Sequence, residues 1–256
     1  MTALPPVPPE GEGGAGTRLR IMLVAAAVCP CPPLLVPEIA AGAAAELDAA
    51  RAACADAVGV LAASRPDLLI VVGPADGTGL GTHRTGAAGS FRGFGVDLGV
   101  LLGPGPAQER PLPLSLTVGA WLLDRAGWAA SPVEGLGVAR DMPSAPALAA
   151  GREIGVRAER VAVLAMGDGS ACRSLKAPGY LDERAEGFDA LATRALGDAD
   201  TAALAALDTT LAYELQAAGR SAWQVLAGAA EGAGLAGRLL YADAPYGVGY
   251  TVAAWS

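Results

Sequence analysis

Three short apolar runs, each closed by glycine or proline, constrain the fold of this chain more than any other feature. Leu19–Val28 is apolar apart from Arg20 and runs into Cys29-Pro30. Pro66-Asp67 introduces Leu68–Val72, which stops at Gly73-Pro74, and Arg160–Met166 stops at Gly167-Asp168-Gly169-Ser170. Runs of this length without polar alternation are strands covered on both faces. Between the first two lies the Ala-rich amphipathic stretch Ile39–Ala63, which predicts a helix. Strand, loop, helix, strand is the order of a parallel α/β fold. The expectation is a single three-layer α/β/α domain over residues 19–256, with a mixed, largely parallel central sheet.

Further strands are predicted at Leu98–Leu102, Ser131–Val138, Arg238–Ala242 and Val248–Ala254. Helices are predicted at Pro113–Ala126, Ala147–Ile154, Arg184–Leu196, Thr201–Ala217 (broken near Asp208) and Ser221–Ala230. Ala75–Gly95 is Gly/Thr-rich and aperiodic, long for a passive connection. Residues 1–18 carry Pro5, Pro6, Pro8, Pro9 and then Gly11, Gly13, Gly14 and Gly16, so they are expected to be a disordered tail.

Charge narrows the partners. The net charge is -8 and Lys176 is the only lysine, so no basic cluster exists to neutralise a row of phosphates, and a nucleic-acid partner is not expected. Arg18 and Arg20 precede the apolar Ile21–Val28, but Val28 stands before Cys29 where a lipoprotein signal would need a small residue. No stretch reaches the ~20 apolar residues that span a bilayer. Cys29, Cys31, Cys54 and Cys172 show no CxxC spacing and read as reduced thiols of a cytoplasmic protein.

Chemistry, where there is any, belongs to the loops that leave the C-terminal ends of the strands, the usual place for sites in open α/β sheets. These are Cys29–Glu38, Gly73–Gly95 and Gly167–Asp182, joined by the Pro/Gly-rich Tyr241–Tyr250. No GxGxxG follows a strand, and P-loop, GxSxG and HExxH motifs are absent.

In these loops the chain resembles the class III extradiol ring-cleavage dioxygenases, and especially their Memo-like branch. That branch has a first-strand motif SPHPPILIPE, matched here by Cys29-Pro30-Cys31-Pro32-Pro33-Leu34-Leu35-Val36-Pro37-Glu38. Its SPH corresponds to Gly73-Pro74-Ala75, and its GxFxxFG to Gly89-Ser90-Phe91-Arg92-Gly93-Phe94-Gly95. SGDLSH corresponds to Met166-Gly167-Asp168-Gly169-Ser170-Ala171, and a later Phe-Asp pair to Phe188-Asp189. EGPFGVGY corresponds to Asp243-Ala244-Pro245-Tyr246-Gly247-Val248-Gly249-Tyr250. The resemblance implies the same fold and, for active members, Fe(II) held by two histidines and a glutamate with a further histidine as acid/base. The implied ligand positions are here Cys31, Ala75 and Asp243, and the acid/base position is Ala171, beside Cys172.

Three roles are open to Cys31: an inert packed thiol, a metal ligand, or a nucleophile activated by a base or helix N-terminus. Asp76 neighbours Ala75, but the next residue of an extended segment points the other way. His83, the one histidine, lies in a polar loop and reads as a surface residue unless the loop folds back to replace a lost ligand. Arg84 and Arg92 read as solvated, with a substrate carboxylate as the alternative partner. Asp168 and Ser170 are expected to hold their loop together, and Tyr246 joins them as a cleft candidate. The leading expectation is a family member without the iron centre and without another cofactor. It would act as a small-molecule-binding or partner subunit, with a homo-oligomer or paralogous subunit as partner and a small aromatic or acidic ligand. The alternative is an active metal-dependent dioxygenase re-ligated by Cys31, Asp243 and either Asp76 or His83. A third reading is metal-free chemistry at Cys31 or Cys172.

Overall fold

A computed structural model describes residues 22–256. The tail expected over residues 1–18, and the first residues of the first predicted strand, lie outside the described residues.

The chain is α/β. In order, β1 (Met22–Cys29) is followed by a single turn α1 (Pro37–Ala40), then by α2 (Asp48–Ala63) and β2 (Leu68–Pro74). Next come β3 (Gly81–His83), β4 (Ala88–Ser90), β5 (Gly99–Leu101) and α3 (Leu114–Arg125). Then β6 (Val133–Val138), α4 (Ser144–Gly155) and β7 (Arg160–Met166) lead to α5 (Arg184–Gly197), α6 (Thr201–Ala205), α7 (Thr209–Glu214) and α8 (Arg220–Ala229). β8 (Gly237–Asp243) and β9 (Tyr250–Trp255) close the chain.

The main sheet has the order β3-β6-β2-β7-β1-β9-β8. Its four central strands β6, β2, β7 and β1 are parallel, β3 and β9 add to them antiparallel, and β8 pairs antiparallel with β9. The apolar runs are therefore the strands that need cover on both faces. One face packs on α2 and α3 through Cys54, Ala57, Leu116 and Trp121, the other on α4, α5 and α8 through Ile154, Phe188, Trp223 and Leu226. Each fully buried aliphatic side chain contributes about 1.5–3 kcal/mol against leaving it in water.

Two expectations need correction. The helix predicted over Ile39–Ala63 starts only at Asp48, because Ala41 takes a positive φ of 48° and the chain runs through a 3₁₀ stretch to Leu47. Ala75–Gly95 is not aperiodic: β3 extends the main sheet, and β4 pairs with β5 in a small ribbon against α3. The break near Asp208 is present, and the Asp208 carboxylate accepts the Leu211 N–H to cap α7.

Candidate functional site

Because β1, β2, β6 and β7 are parallel, the segments after Cys29, Pro74, Val138 and Met166 all emerge at one end of the sheet. Prolines 30, 32 and 33 keep the first of these extended and then turn it through the short 3₁₀ helix Pro33–Leu35. The Cys31 N–H donates to Asp168 Oδ1 at 2.8 Å, and the Gly167 N–H donates to the Cys29 carbonyl at 2.9 Å. The first and third loops are thus stitched together across the β1–β7 pair.

Asp168 is partly buried, and burial raises its carboxyl to about 6, against the opposing pull of the Cys31 N–H and the positive charge of Arg140. Its main-chain carbonyl accepts the Gly219 N–H at 2.8 Å, which anchors the start of α8. Burial first, and the Asp168 charge second, push the Cys31 thiol well above its ordinary range, so the sulfur is held as a neutral thiol. That environment is the reverse of the one that activates a cysteine. Cys172 is also raised by burial, and its sulfur lies against the carbonyls of Gly179 and Leu215.

Ser170 is fully buried and makes four bonds within the fold, one of them from the Gly249 N–H to its carbonyl at 2.9 Å. Its hydroxyl donates to the Leu215 carbonyl at 3.0 Å and accepts the Cys172 N–H at 3.0 Å. Its own N–H donates to Asp189 Oδ1 at 2.7 Å. Asp189 is the buried anchor of this end, paired with Arg173 at 3.1 Å, with its carboxyl raised chiefly by burial. A Cβ on Gly169 or on Gly249 would overlap the Asp189 carboxylate, which is why glycine occupies both positions. The Phe188-Asp189 pair is therefore a brace between the Gly167–Ser170 loop and the terminal segment. Ala171 takes part only through its backbone, donating to the Leu215 carbonyl and accepting from the Gly179 N–H.

The remaining candidates do not converge. Ala75 is buried, donates its N–H to the Val138 carbonyl at 2.8 Å, and turns its methyl toward Gly79 and Gly137. Asp76 is exposed, as the alternation of an extended segment requires. Asp243 lies on the outer strand β8, two strand spacings (about 10 Å) from β1. There it is exposed, accepts the Ala244 N–H at 2.7 Å and bonds to Tyr241. His83 is neither a surface residue nor near Cys31. It is buried on β3, four strand spacings or about 19 Å from β1, with Nε2 2.8 Å from the Gly79 carbonyl oxygen. Among the described residues no three His, Cys, Asp or Glu side chains gather in a way that could hold a metal ion. The family's iron site does not fit this donor set: one position is a neutral, occluded thiol, one a methyl group, and one a carboxylate on another strand.

Tyr246 pins the terminal segment, its hydroxyl donating to Glu46 Oε2 at 2.9 Å. Buried Tyr250 lies close enough to Asp168 for the carboxylate charge to add to the burial that raises its hydroxyl. Arg92 is exposed and pairs with Asp97 at 2.7 Å, and Arg84 is exposed as expected.

The open space at this end is a cleft of about 690 Å³ beside the ends of β2 and β6, lined by Asp76, Arg140, Asp141, Tyr213, Glu214 and Gln216. Its floor depends on Arg220, a fully buried arginine. Arg220 donates to the carbonyls of Arg140 at 2.6 Å and of Met142, and to Gln224 Oε1 at 3.0 Å. Sequence reasoning missed Arg140, Tyr213, Gln216 and Arg220. The one available signal was an arginine at the start of a largely apolar helix.

No protein-family model matches this chain, and neither does any curated protein. The fold is similar to that of the crystal structure of uncharacterized protein JW3007 from Escherichia coli K12. The TM-score is 0.55 and the identity 13%, over 91% of this chain and 99% of that one. At that identity the likeness is one of fold. No helix among the described residues is long and apolar enough to cross a membrane.

Proposed function

We propose that this chain is a member of the class III extradiol dioxygenase superfamily that has given up the iron centre. In this reading it serves as a non-catalytic small-molecule-binding or partner subunit. The observation that carries the reading is the fate of the first ligand position. The Cys31 main chain is tied to Asp168 at 2.8 Å, and its thiol is buried and kept neutral. A metal ligand must present a deprotonated donor to open coordination space, and here both conditions are reversed. The ordered motifs support the superfamily assignment. Four unpaired cysteines support a cytoplasmic location.

The ligand site is then the cleft beside β2 and β6. Tyr213 supplies an aromatic face, and Arg140 supplies a guanidinium for one acidic group while Asp76, Asp141 and Glu214 oppose a second, so a small aromatic molecule with at most one acidic group is the class it suits. Metal analysis after anaerobic, iron-replete purification tests the reading. Iron far below one equivalent and no catechol cleavage are expected, whereas stoichiometric, tightly bound iron with turnover would overturn it. Mass spectrometry of small molecules that co-purify then identifies the ligand, and Arg140→Ala is expected to lower its retention. The re-ligated enzyme predicts instead that Cys31→Ala and Asp243→Ala each abolish metal uptake in a folded protein. The separation of Cys31, Asp243 and His83 across the sheet counts against it.

A further inference from the structure

We propose that two copies of this chain pair through β8, antiparallel, about a twofold axis between Leu240 and Tyr241, joining their sheets into one. Among the described residues β8 is the last strand on its side of the sheet, and it is the most exposed of the long strands. An open groove of about 960 Å³ runs along it beside α5, lined by Thr193, Arg194, Leu239 and Ala242 among others. A strand edge of this kind offers a row of backbone donors and acceptors to another chain.

The hydrogen-bond phase selects the register. Ala236 and Ser256 exchange both backbone bonds at 3.1 Å, so Ala236 and, by alternation, Arg238 face β9 while Gly237 and Leu239 face outward. A bulge between Leu239 and Tyr241 shifts the alternation by one residue. Tyr241 and Asp243 then face β9, and Ala242 faces outward. An antiparallel copy can bond to this edge only by setting outward residues opposite each other. Placing Leu239 opposite the partner copy's Ala242 does so twice, once on each side of the axis.

The side chains agree with that same register. It sets Arg238 opposite Asp243 of the second copy, again twice, and both lie on the α2 face, because Arg238 pairs with Ala254 and Asp243 with Tyr250. Opposite charges facing each other across strands stabilise a pair, and like charges oppose it. On the α5 face the 44% exposed Leu239 meets a small Ala242. Backbone phase, charge and size are independent of one another, and one register satisfies all three.

The pairing rests on the partner-subunit reading for its purpose and names a second copy as the partner, and its geometry holds whether or not iron binds. Metal content and molecular mass are measured separately, so either proposal can fail alone.

Sedimentation equilibrium or light scattering on the full chain tests it, with circular dichroism to confirm that each variant is folded. The wild type is expected to be a dimer. Arg238→Asp and Asp243→Arg each create two like-charge contacts and are expected to weaken it about tenfold or more. The double swap R238D/D243R is expected to restore it. A wild-type monomer at micromolar concentrations overturns the proposal, as does a dimer indifferent to both reversals. A folded double swap that stays monomeric overturns the register.

Discussion

The two edges of the sheet are finished in opposite ways. At one, β3 is only three residues long, and its outward carbonyls are already occupied: Arg110 donates to Leu80 O at 3.1 Å and to Thr82 O at 2.7 Å. Behind it His83 is buried and bonded to the Gly79 carbonyl. At the other edge, β8 is seven residues long with exposed Arg238, Leu239, Ala242 and Asp243, and a groove rather than a side chain lies along it. Nature manages strand edges by shortening, charging or covering them. Here the short edge is covered and the long one is left with a self-complementary pattern. The lone histidine, which sequence reasoning sends to a solvent loop, belongs to the cover.

The comparison breaks first at Gly137. This β6 residue lies opposite Gly81, and a Cβ there would overlap the Gly79 carbonyl oxygen that accepts from His83. Because the obstacle is backbone, Gly137→Ala must push β3 away from the sheet. A loss of about 3 kcal/mol is expected, of the size reserved for overpacking in a close contact. A urea midpoint within about 0.5 kcal/mol of wild type would mean that β3 contributes little to the fold.

Proton linkage comes next and sets the closed edge against the β1–β7 stitch. His83 has its Nδ1 buried without a partner, and desolvation lowers its pKa below the ordinary 6.5. As pH falls through 6.5 the unfolded chain takes the proton first, so His83 removes stability on the acid side. Asp168 acts in the opposite sense. Its folded pKa of about 6 is above the usual 3.8, so stability rises as pH falls from 6 toward 4, by about 2 kcal/mol. The wild type should therefore show a partly cancelled profile. His83→Gln should steepen the rise toward acid and Asp168→Asn should turn the profile toward a fall, with the raised carboxyl of Asp189 adding to the rise in every variant, read from denaturation curves between about pH 4 and 8. Parallel profiles for all three proteins would remove both assignments.

How much of this was legible depends on how far apart the partners are. The central strands announce themselves because burial on both faces requires apolar runs, and the loops after them carry Pro and Gly where the chain must turn. Asp168 and Ser170 were readable as loop-holding residues, since short polar side chains at strand ends bond to nearby backbone. β3 was not readable: a three-residue Gly-Thr-His segment is too short to show alternation, and it pairs because Gly137 lets it approach β6. Arg220 was not readable either, because the carbonyls it serves belong to residues 78 and 80 positions away. The helix start at Asp48 was hidden by alanine, which suits a helix everywhere and so marks no boundary.

A smaller effect tests the cover itself. Arg110→Ala removes two exposed side-chain bonds to β3 carbonyls that water can satisfy, so about 1 kcal/mol should be lost. The sharper readout is backbone hydrogen exchange. Amides of Gly81 and His83, which face β6, should exchange faster while those of β8 stay as they were. Equal change at both edges would mean that Arg110 stabilises the fold generally and is no edge cap.

The smallest expected change in stability is on the open edge, at Leu239→Lys. Leu239 is 44% exposed, and lysine keeps an apolar stem that can lie along the strand while its ammonium reaches water. The folding free energy should move by no more than about 0.5 kcal/mol. Association should nevertheless be lost, because a lysine on each copy would meet the partner's Ala242 at the point where the two backbones must bond, and edge lysines are a device that keeps strands apart. Mass by light scattering, set beside the urea midpoint, separates the two effects. A variant that is monomeric and as stable as wild type identifies β8 as an edge made for contact. A variant that loses stability and dimer together would make Leu239 a packing residue of the monomer, and the contrast between the two edges would then be one of exposure alone.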